Sequence, residues 1–199
     1  MRNEDIGDGR IYSGYMVDGI PNGSGELRQR FDNGWNLLKI GTFERGKLSG
    51  TGRLMQIKGG NFFFAHGEFS ADMLSGYGYE EDCFIEDLTE THYRIGTFLD
   101  GNLVGGEHLT AYSDFTGLLE VGSFNDYTLR NGYAMHFDAD GTLVSLSKYT
   151  NGEKEELSPE QISEISELQK YNAEYIDEVI STHYGYGDSF EEMKTALGF

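Results

Sequence analysis

The stretch Gly41-Thr42-Phe43-Glu44-Arg45-Gly46, with Gly50-Thr51-Gly52 after it, repeats the glycine spacing of Gly14–Gly25. In both copies a second glycine follows the first after five residues, a third after four more and a fourth after two more. Phe43 stands between small or polar neighbours, which is typical of a half-buried strand. Gly46 supplies the positive φ that a tight hairpin turn needs. Each copy is therefore predicted to form one β-hairpin.

The same pattern recurs with lead residues at positions 14, 41, 67, 96, 122 and 147, after steps of 27, 26, 29, 26 and 25 residues. Asp72 replaces the turn glycine of the third copy, and Asp tolerates a left-handed conformation. Glu107 stands at the last glycine position of the fourth copy, the fifth copy is weaker, and the sixth is a half-copy that ends at Gly152. The glycines assigned to the repeat are Gly14, Gly19, Gly23, Gly25, Gly41, Gly46, Gly50, Gly52, Gly67, Gly76, Gly78, Gly96, Gly101, Gly105 and Gly122.

Successive hairpins of this kind pair edge to edge, so the predicted fold is mainly β. We expect residues 10–152 to form an elongated, single, twisted antiparallel sheet of about five and a half units. Eleven or so strands would give a sheet roughly 50 Å long. A bare edge at Tyr12 leaves a homodimer through a sheet edge open.

The pattern Tyr12-x-Gly14, with Gly19, Gly23 and Gly25 after it, resembles the MORN repeat, and Gly41–Gly52 is similar to it. The units here are some three to six residues longer than the usual MORN repeat. The aromatic residue that opens the motif is replaced in four copies, where Ile40, His66, Ile95 and Val121 stand. The resemblance implies a β-hairpin array used as an interaction or assembly module. Some members of the family associate with membranes or lipids, and some carry the repeats beside a catalytic domain.

The chain is strongly acidic, with 34 acidic and 15 basic residues and a net charge of −19. Such a surface repels nucleic acid and anionic lipid, which argues against direct binding of either. It can attract a basic protein or compete for a nucleic-acid-binding surface. A basic run from Arg28 to Lys58 is either a local anion site or a set of solvated strand positions. The single cysteine, Cys83, excludes an internal disulfide. No stretch approaches the ~18 apolar residues of a membrane helix. The expected compartment is the cytoplasm.

Residues 153–199 are predicted to be helical and to cap the array. Ser158, Pro159 and Gln161 make a capping box with Pro at the first helical position. An apolar stripe at helical spacing follows, and a short second helix is expected over 188–198. The stripe consists of Ile162, Ile165, Leu168, Tyr175, Ile176 and Val179. We expect this segment to cover an open edge or apolar end of the array, the alternative being a partner-docking or dimerising helix.

Candidate chemistry is sparse, and we predict no catalytic residue, no cofactor and no metal site. Asp138-Ala139-Asp140 begins like a calcium loop but lacks the other ligands, so a hairpin turn is favoured. Cys83 and His92 have no readable orienting partner or oxyanion site. The five histidines show no paired metal-ligand spacing.

The predicted partner-binding residues fall into an aromatic and an acidic group. Trp35 and one ring of Phe62, Phe63 and Phe64 are candidate anchors, because three consecutive aromatics cannot share one side of a strand. The alternative is that these rings are core. Glu81, Asp82, Glu86 and Asp87 belong to a carboxylate cluster expected in a long connection between copies three and four. That cluster could bind a basic partner or a cation, or be a solvated loop.

The favoured function is therefore a non-catalytic protein–protein interaction or scaffold module. An acidic decoy that mimics nucleic acid and blocks a DNA- or RNA-binding protein is the first alternative. A lipid-associated module is the second. Strong salt dependence would distinguish the decoy, because charge-driven association weakens with ionic strength.

Overall fold

The computed structural model describes residues 3–31, 36–84 and 89–165, then 168, 170–172, 174–175 and 178. In these residues thirteen strands form one antiparallel sheet, and their order across the sheet is their order along the chain. This confirms the predicted mainly β fold with a single open sheet. The sheet has one strand more at each end than the predicted array of 10–152.

The strands are β1 Asn3–Gly7, β2 Arg10–Val17, β3 Ile20–Arg30, β4 Asn36–Glu44, β5 Lys47–Lys58, β6 Asn61–Ser70, β7 Met73–Phe84, β8 Glu90–Leu99, β9 Asn102–Tyr112, β10 Gly117–Asn125, β11 Thr128–Phe137, β12 Leu143–Thr150 and β13 Glu153–Glu156. The α-helix α1 of the described residues spans Pro159–Glu164.

Two-residue turns with positive φ at both positions close the predicted hairpins, as type I′ turns do. Asp72, the residue that replaces a turn glycine, has a φ of 77° and so takes the left-handed conformation expected for it. These turns line one long side of the sheet, which we call the motif rim. They are Asp18–Gly19, Arg45–Gly46, Ala71–Asp72, Asp100–Gly101, Asp126–Tyr127 and Asn151–Gly152. The connections along the other long side form the opposite rim.

Within each full unit, two glycines face each other across the hairpin. A Cβ on Gly41 would lie 2.7 Å from the Cα of Gly52, which leaves no room for any side chain. The facing pairs are Gly14–Gly25, Gly41–Gly52, Gly67–Gly78, Gly96–Gly106 and Gly122–Gly132. The fourth and fifth pairs correct the predicted repeat. The last glycine position of the fourth unit is Gly106, not Glu107, because Gly106 faces Gly96, and Gly132 occupies that position in the weak fifth unit.

Hydrogen bonds between adjacent turns join one unit to the next along the motif rim. Gly46 N–H donates to the Pro21 carbonyl at 2.9 Å, and Gly101 N–H donates to the Leu74 carbonyl at 2.8 Å. Asp72 N–H donates in the same way to the Leu48 carbonyl at 2.9 Å. Each unit therefore rests on its predecessor, as in other repeat proteins.

The sheet has an apolar cluster on each face. On the first, which we call the covered face, a row of side chains crosses the central strands. That row includes Leu38, Met55, Phe64, Tyr93, Leu109, Leu119, Met135 and Leu146. On the second, the turn face, Phe and Leu residues near the motif rim pack on Leu54, Ala65 and Ala134. They are Phe43, Leu48, Phe69, Leu74, Phe98, Leu103, Phe124 and Leu129.

The C-terminal segment begins as predicted, with the Ser158 capping box and Pro159 at the start of α1. Leu168 and Tyr171 are buried in the cluster of the covered face. The described contacts therefore reach the face of the sheet, whereas cover of an open edge or end was expected. The predicted second helix over 188–198, and the stripe residues Ile176 and Val179, lie outside the described residues.

The two edges of the sheet are β1 and β13. The predicted bare edge at Tyr12 is corrected, because β1 pairs with β2 and Glu4 stands opposite Tyr12. Among the described residues, no helix is long and apolar enough to cross a bilayer.

Candidate binding surfaces

The predicted acidic cluster begins in a strand. Glu80, Glu81 and Asp82 lie in β7 and pair with Arg94, Tyr93 and His92 of β8. The predicted long connection is thus wrong for Glu81 and Asp82, which lie inside β7. Arg94 of β8 donates to Glu80 and Asp82, and Tyr79 of β7 donates to Glu81. Alternation in the strand sends Glu81 to the covered face and the other two to the turn face. Glu86 and Asp87 lie outside the described residues.

Glu81 is buried on the covered face with only 9% of its surface exposed. The hydroxyl of Tyr79 donates to its carboxylate at 3.1 Å. Burial raises the pKa of Glu81 to about 7, Tyr79 opposes the shift, and the charge of Asp82 adds to it. This carboxyl is a buried titratable group and offers little surface to a partner.

Arg94 pairs with two carboxylates on the turn face. Its Nη1 donates to Glu80 at 2.8 Å and also to Asp82, and the residue is 8% exposed. Burial raises the pKa of Glu80 to about 7, although the charge of Arg94 opposes that shift. Arg94 and Glu80 are buried and Asp82 is partly exposed, so the three groups form a mutually dependent set at the border of the core.

Tyr127 covers this set from the motif rim. Its ring centroid lies 4.8 Å from the guanidinium carbon of Arg94, and its hydroxyl donates to the Gly101 carbonyl at 2.8 Å. Tyr127 occupies a turn position that glycine takes in other units, with a φ of 59°. The contacts of the ring offset the strain of that backbone conformation.

Two histidines meet beside Arg94, although their sequence spacing does not suggest it. His92 Nδ1 lies 3.2 Å from His108 Nε2 and 3.1 Å from the Thr110 hydroxyl. The β8–β9 hairpin causes this, because it sets His92 opposite Thr110 and Arg94 opposite His108. In the part of the chain that the structure describes, no group of three or more His, Cys, Asp or Glu side chains is arranged to hold a metal ion.

The three consecutive phenylalanines divide between the faces, as predicted for a strand. Phe62 and Phe64 belong to the core of the covered face, with 4% and 0% of their surface exposed. Phe63 points to the turn face and is half-buried. Trp35, the other aromatic candidate, lies outside the described residues.

The most exposed aromatic ring, among the residues that can be compared, was not predicted. Phe115 is 81% exposed and has a φ of 67°, in the connection between β9 and β10. Asp114 accepts from the Thr116 N–H at 3.0 Å and from the Thr116 hydroxyl at 2.6 Å. Phe115 N–H itself donates to the Tyr112 carbonyl at 3.0 Å. The run Ser113-Asp114-Phe115-Thr116-Gly117 is a turn signal, and an aromatic in its centre was the available clue.

On the covered face, the carboxylate of Glu107 accepts hydrogen bonds from the C-terminal segment. The hydroxyls of Tyr171 and Tyr175 both donate to Glu107, the first at 2.9 Å. Lys170 Nζ lies 3.8 Å from the same carboxylate. Burial and the hydrogen bond to Glu107 raise the pKa of Tyr175. Glu107, which stands opposite Ile95 and Val121 in the sheet, thus anchors the segment.

The other residues considered as candidate chemistry, Asp138, Cys83 and His92, do not come together in one site. Asp138 accepts from the N–H groups of Asp140 and Thr142 at 3.1 and 2.8 Å, which makes the predicted turn. Cys83 packs on the covered face and His92 lies on the turn face, so the sheet separates them. Burial raises the pKa of the Cys83 thiol to about 11, because desolvation disfavours the thiolate.

The basic run over 28–58 is dispersed over the sheet. Lys39 Nζ lies 2.7 Å from Asp72 on the turn face, and Arg28 pairs with Glu26. Arg28 stands opposite Leu38 and so belongs to the covered face. These cations therefore do not make one anion-binding patch.

No known protein-family model matches this chain. No curated protein is similar enough to it to count as a relative.

Proposed function

We propose that this chain is a MORN-like, non-catalytic module of the cytoplasm that binds another protein through the Phe115 loop. The observation that carries the proposal is the large exposed ring of Phe115 on a backbone held in a left-handed conformation. Rigid aromatic side chains dominate the energetics of protein interfaces. A strained, non-glycine residue at positive φ that displays such a ring favours a recognition role.

The loop is held by hydrogen bonds before any partner arrives. Tyr112 N–H donates to the Thr116 carbonyl at 3.0 Å, and Ser113 N–H donates to the Thr89 carbonyl at 2.9 Å. These bonds join the loop to its own strand ends and to the neighbouring connection. A preorganised anchor loses little conformational entropy on binding, which leaves more of the contact energy for affinity.

The surroundings of Phe115 indicate the chemistry of the partner. Tyr112 is 37% exposed at the end of β9, and Val144 is 66% exposed on the same rim. Hydrogen bonds from Thr116 lower the pKa of the exposed Asp114 carboxyl, so it is ionised at neutral pH. The loop therefore suits an apolar cleft with basic residues at its border.

A pull-down from lysate of the source organism, with nuclease added, tests the proposal. Wild type, Phe115→Ala and Leu99→Ala are washed at low and then high salt, and retained proteins are identified by mass spectrometry. Leu99 is the matched control, because it is 59% exposed but lies beside the motif rim. We expect a partner that survives high salt, persists with Leu99→Ala and is lost with Phe115→Ala. Equal retention by both variants would contradict the proposal.

The net charge of −19 favours the acidic decoy as the second candidate function. In that case a nucleic-acid-binding protein is retained at low salt and elutes at high salt, whether or not Phe115 is present. The lipid-associated alternative has less support, because Arg28 and Lys39 of the basic run lie on different faces and each pairs with an acid. Liposome sedimentation should leave the protein in solution.

A further inference from the structure

His92 and His108 form a hydrogen-bonded pair of rings on the turn face. His92 Nδ1 lies 3.2 Å from His108 Nε2, and the ring centroids are 5.3 Å apart. The Thr110 hydroxyl lies 3.1 Å from the same nitrogen of His92. The side chains of His92 and His108 are 23% and 10% exposed, so water reaches the two rings poorly. Because the rings belong to neighbouring strands, their hydrogen bond links β8 to β9.

The outer nitrogen of each ring faces a carboxylate. Glu90 Oε1 lies 3.5 Å from His92 Nε2, and Glu120 Oε2 lies 3.2 Å from His108 Nδ1. Both are distances at which an ion pair forms when the ring is charged. His108 Nδ1 is buried and makes no hydrogen bond within the described part of the chain. This nitrogen is therefore the open position of the pair, with a counterion beside it.

The number of protons on the four ring nitrogens decides whether these contacts are satisfied. A neutral histidine carries one proton and one lone pair. In a neutral pair, the hydrogen bond between the rings uses one proton, so only one outer nitrogen can carry the other. The remaining outer nitrogen then directs a lone pair at a carboxylate, which also only accepts. One additional proton removes this conflict and keeps the bond between the rings. A second one would break that bond, because both inner nitrogens would then be donors.

The surroundings favour His108 as the ring that carries the charge. The Glu120 side chain is 18% exposed and that of Glu90 is 52% exposed, so water screens the carboxylate beside His108 less. Burial lowers the pKa of His92. His92 therefore stays neutral, keeps its proton on Nε2 toward Glu90 and accepts at Nδ1 from His108.

Titratable groups from the neighbouring elements set the charge that the pair can hold. Carboxyls outnumber the one guanidinium, that of Arg94, even without Glu80, whose pKa burial raises to about 7. One positive charge on the pair therefore improves the local balance of charge. The groups are Glu80 and Asp82 of β7, Glu90 and Arg94 of β8, Glu120 of β10, and the neutral phenols of Tyr112 and Tyr127.

We propose that His92 and His108 together bind one extra proton, and that this proton joins β8, β9 and β10 on the turn face. With the proton bound, His108 donates its Nε2–H to His92 and carries its charge beside Glu120. A second proton, on His92, sets two donors against each other, so acidification opens the contact. The pair is thus an acid-sensitive link between central strands, and it is independent of the Phe115 loop and of the proposed partner.

Acid should therefore weaken the folded state through His92. In the unfolded chain His92 binds a proton as the pH falls through 6.5, whereas its lowered pKa keeps it neutral in the folded state. Below that pH the unfolded chain binds more protons, so the contribution of His92 to stability is present above pH 6.5 and is lost as the pH falls. The buried carboxyl of Glu81 has the opposite dependence, so variants are needed to separate the two.

Long-range ¹H–¹⁵N NMR of the full-length wild type, from pH 8 to 5, counts the protons on both rings and needs no variant. N-acetylhistidine in the same sample is the reference for a solvated imidazole. Where the reference is mostly charged, we expect one charged ring per pair, with protons on both nitrogens of His108 and on Nε2 alone of His92. Two charged rings in the folded protein, a charge on His92 instead of His108, or no charged ring over this range would overturn the proposal.

Variants test the coupling between the rings. In His108→Gln the facing cation is absent, so His92 should take up its proton at a higher pH than in wild type. His136→Gln is the control, because His136 is exposed on the same face and should leave the titration of His92 unchanged. In urea denaturation, His92→Gln should lose less stability than wild type between pH 6.5 and 5, because its amide binds no proton. An unshifted His92 in His108→Gln, or equal losses of stability in His92→Gln and wild type, would contradict the proposal.

Discussion

At the scale of single residues, the glycines that face each other inside the strands make room for neighbouring side chains. A Cβ on Gly25 would lie 2.1 Å from the hydroxyl oxygen of Tyr12 and 2.4 Å from its ring carbon Cζ. Tyr12 is fully buried and packs edge-on against Phe43 at 5.2 Å, so its ring cannot move aside without loss of that packing. The absence of a side chain at Gly25 creates the space that the aromatic ring fills.

Gly25→Ala should therefore destabilise the protein by about 2 kcal/mol or more, as overpacked cores do. Gly105→Ala is the matched control, because Gly105 is outside the left-handed region and its Cβ would meet only the Gly122 carbonyl at 3.7 Å. Urea denaturation of both variants checks this. Equal loss of stability would mean that position 105 is as constrained as the facing glycines, contrary to the corrected repeat.

The buried carboxyl of Glu81 makes the stability depend on pH. Its pKa is raised from 4.5 to about 7, so the folded protein binds a proton that the unfolded chain releases. Its contribution to stability is fully present below pH 4.5 and is lost as the pH rises to about 7, because the folded state binds more protons in that window. The loss for this one group is at most about 3 kcal/mol.

Glu81→Gln should flatten the pH dependence of the free energy of unfolding and leave the variant more stable than wild type at pH 8. The amide oxygen can still accept from Tyr79, so the hydrogen bond is kept. Tyr79→Phe should instead make the pH dependence of the free energy of unfolding steeper, since it removes the hydrogen bond that favours the carboxylate of Glu81. Urea denaturation from pH 5 to 8 measures the free energy of unfolding of wild type and of both variants. Parallel plots of that free energy against pH would refute the role of Glu81.

At the scale of elements, the C-terminal segment is attached to the sheet by few polar contacts. Tyr171 and Tyr175 converge on Glu107, and the adjacent contacts are apolar. In the double variant Tyr171→Phe with Tyr175→Phe, the segment loses two hydrogen bonds to a charged acceptor. Such bonds contribute about 1.5–3 kcal/mol each, so local opening of the segment should become at least about tenfold more frequent.

Hydrogen exchange detects this opening at the amides of Leu168 and Tyr171, which donate to backbone carbonyls within the segment. Exchange at these amides should accelerate, while the amides of β9 keep their protection. Tyr15→Phe is the control, because Tyr15 is 64% exposed and lies in β2, far from Glu107 along the sheet. Unchanged exchange in the double variant would show that apolar packing alone holds the segment.

Local patterns predicted the elements well, because each hairpin is a local structure. Glycine spacing located the turns of the motif rim, and Ser158 located the start of α1. The doublet Gly105-Gly106 was misassigned, because the fourth hairpin has one residue fewer between its facing glycines than the first three. Only strand pairing reveals that difference.

The sites were less predictable, because they depend on register between strands. Glu81 and Asp82 were predicted to lie in a connection, since a run of acids is usually solvated, whereas both lie in β7 and β8 supplies Arg94, which donates to Asp82. His92 and His108 are sixteen residues apart and meet only through the β8–β9 pairing. The exposure of Phe115 follows from the backbone of one turn, which the composition of that turn does not specify.

At the scale of the whole molecule, the open sheet exposes two edges that could pair with other copies. Both edges are short and acidic: β1 contains Glu4 and Asp5, and β13 contains Glu153, Glu155 and Glu156 with one Lys154. All of β13 is exposed. Pairing of two β13 edges brings the three carboxylates of each copy close to those of the other, and like charges close to one another destabilise a sheet. The edge charges therefore oppose the homodimer that an open edge would otherwise invite.

The triple variant Glu153→Thr, Glu155→Thr and Glu156→Thr should consequently self-associate where the wild type stays monomeric. Thr has a high β-propensity and removes the repulsion, so two β13 edges can extend the sheet across copies. Light scattering after size exclusion, over a range of protein concentrations, measures the mass. Lys154→Thr is the control, because it changes the same edge but leaves the three acids and should remain monomeric. A dimeric wild type, or a monomeric triple variant, would mean that edge charge does not set the oligomeric state.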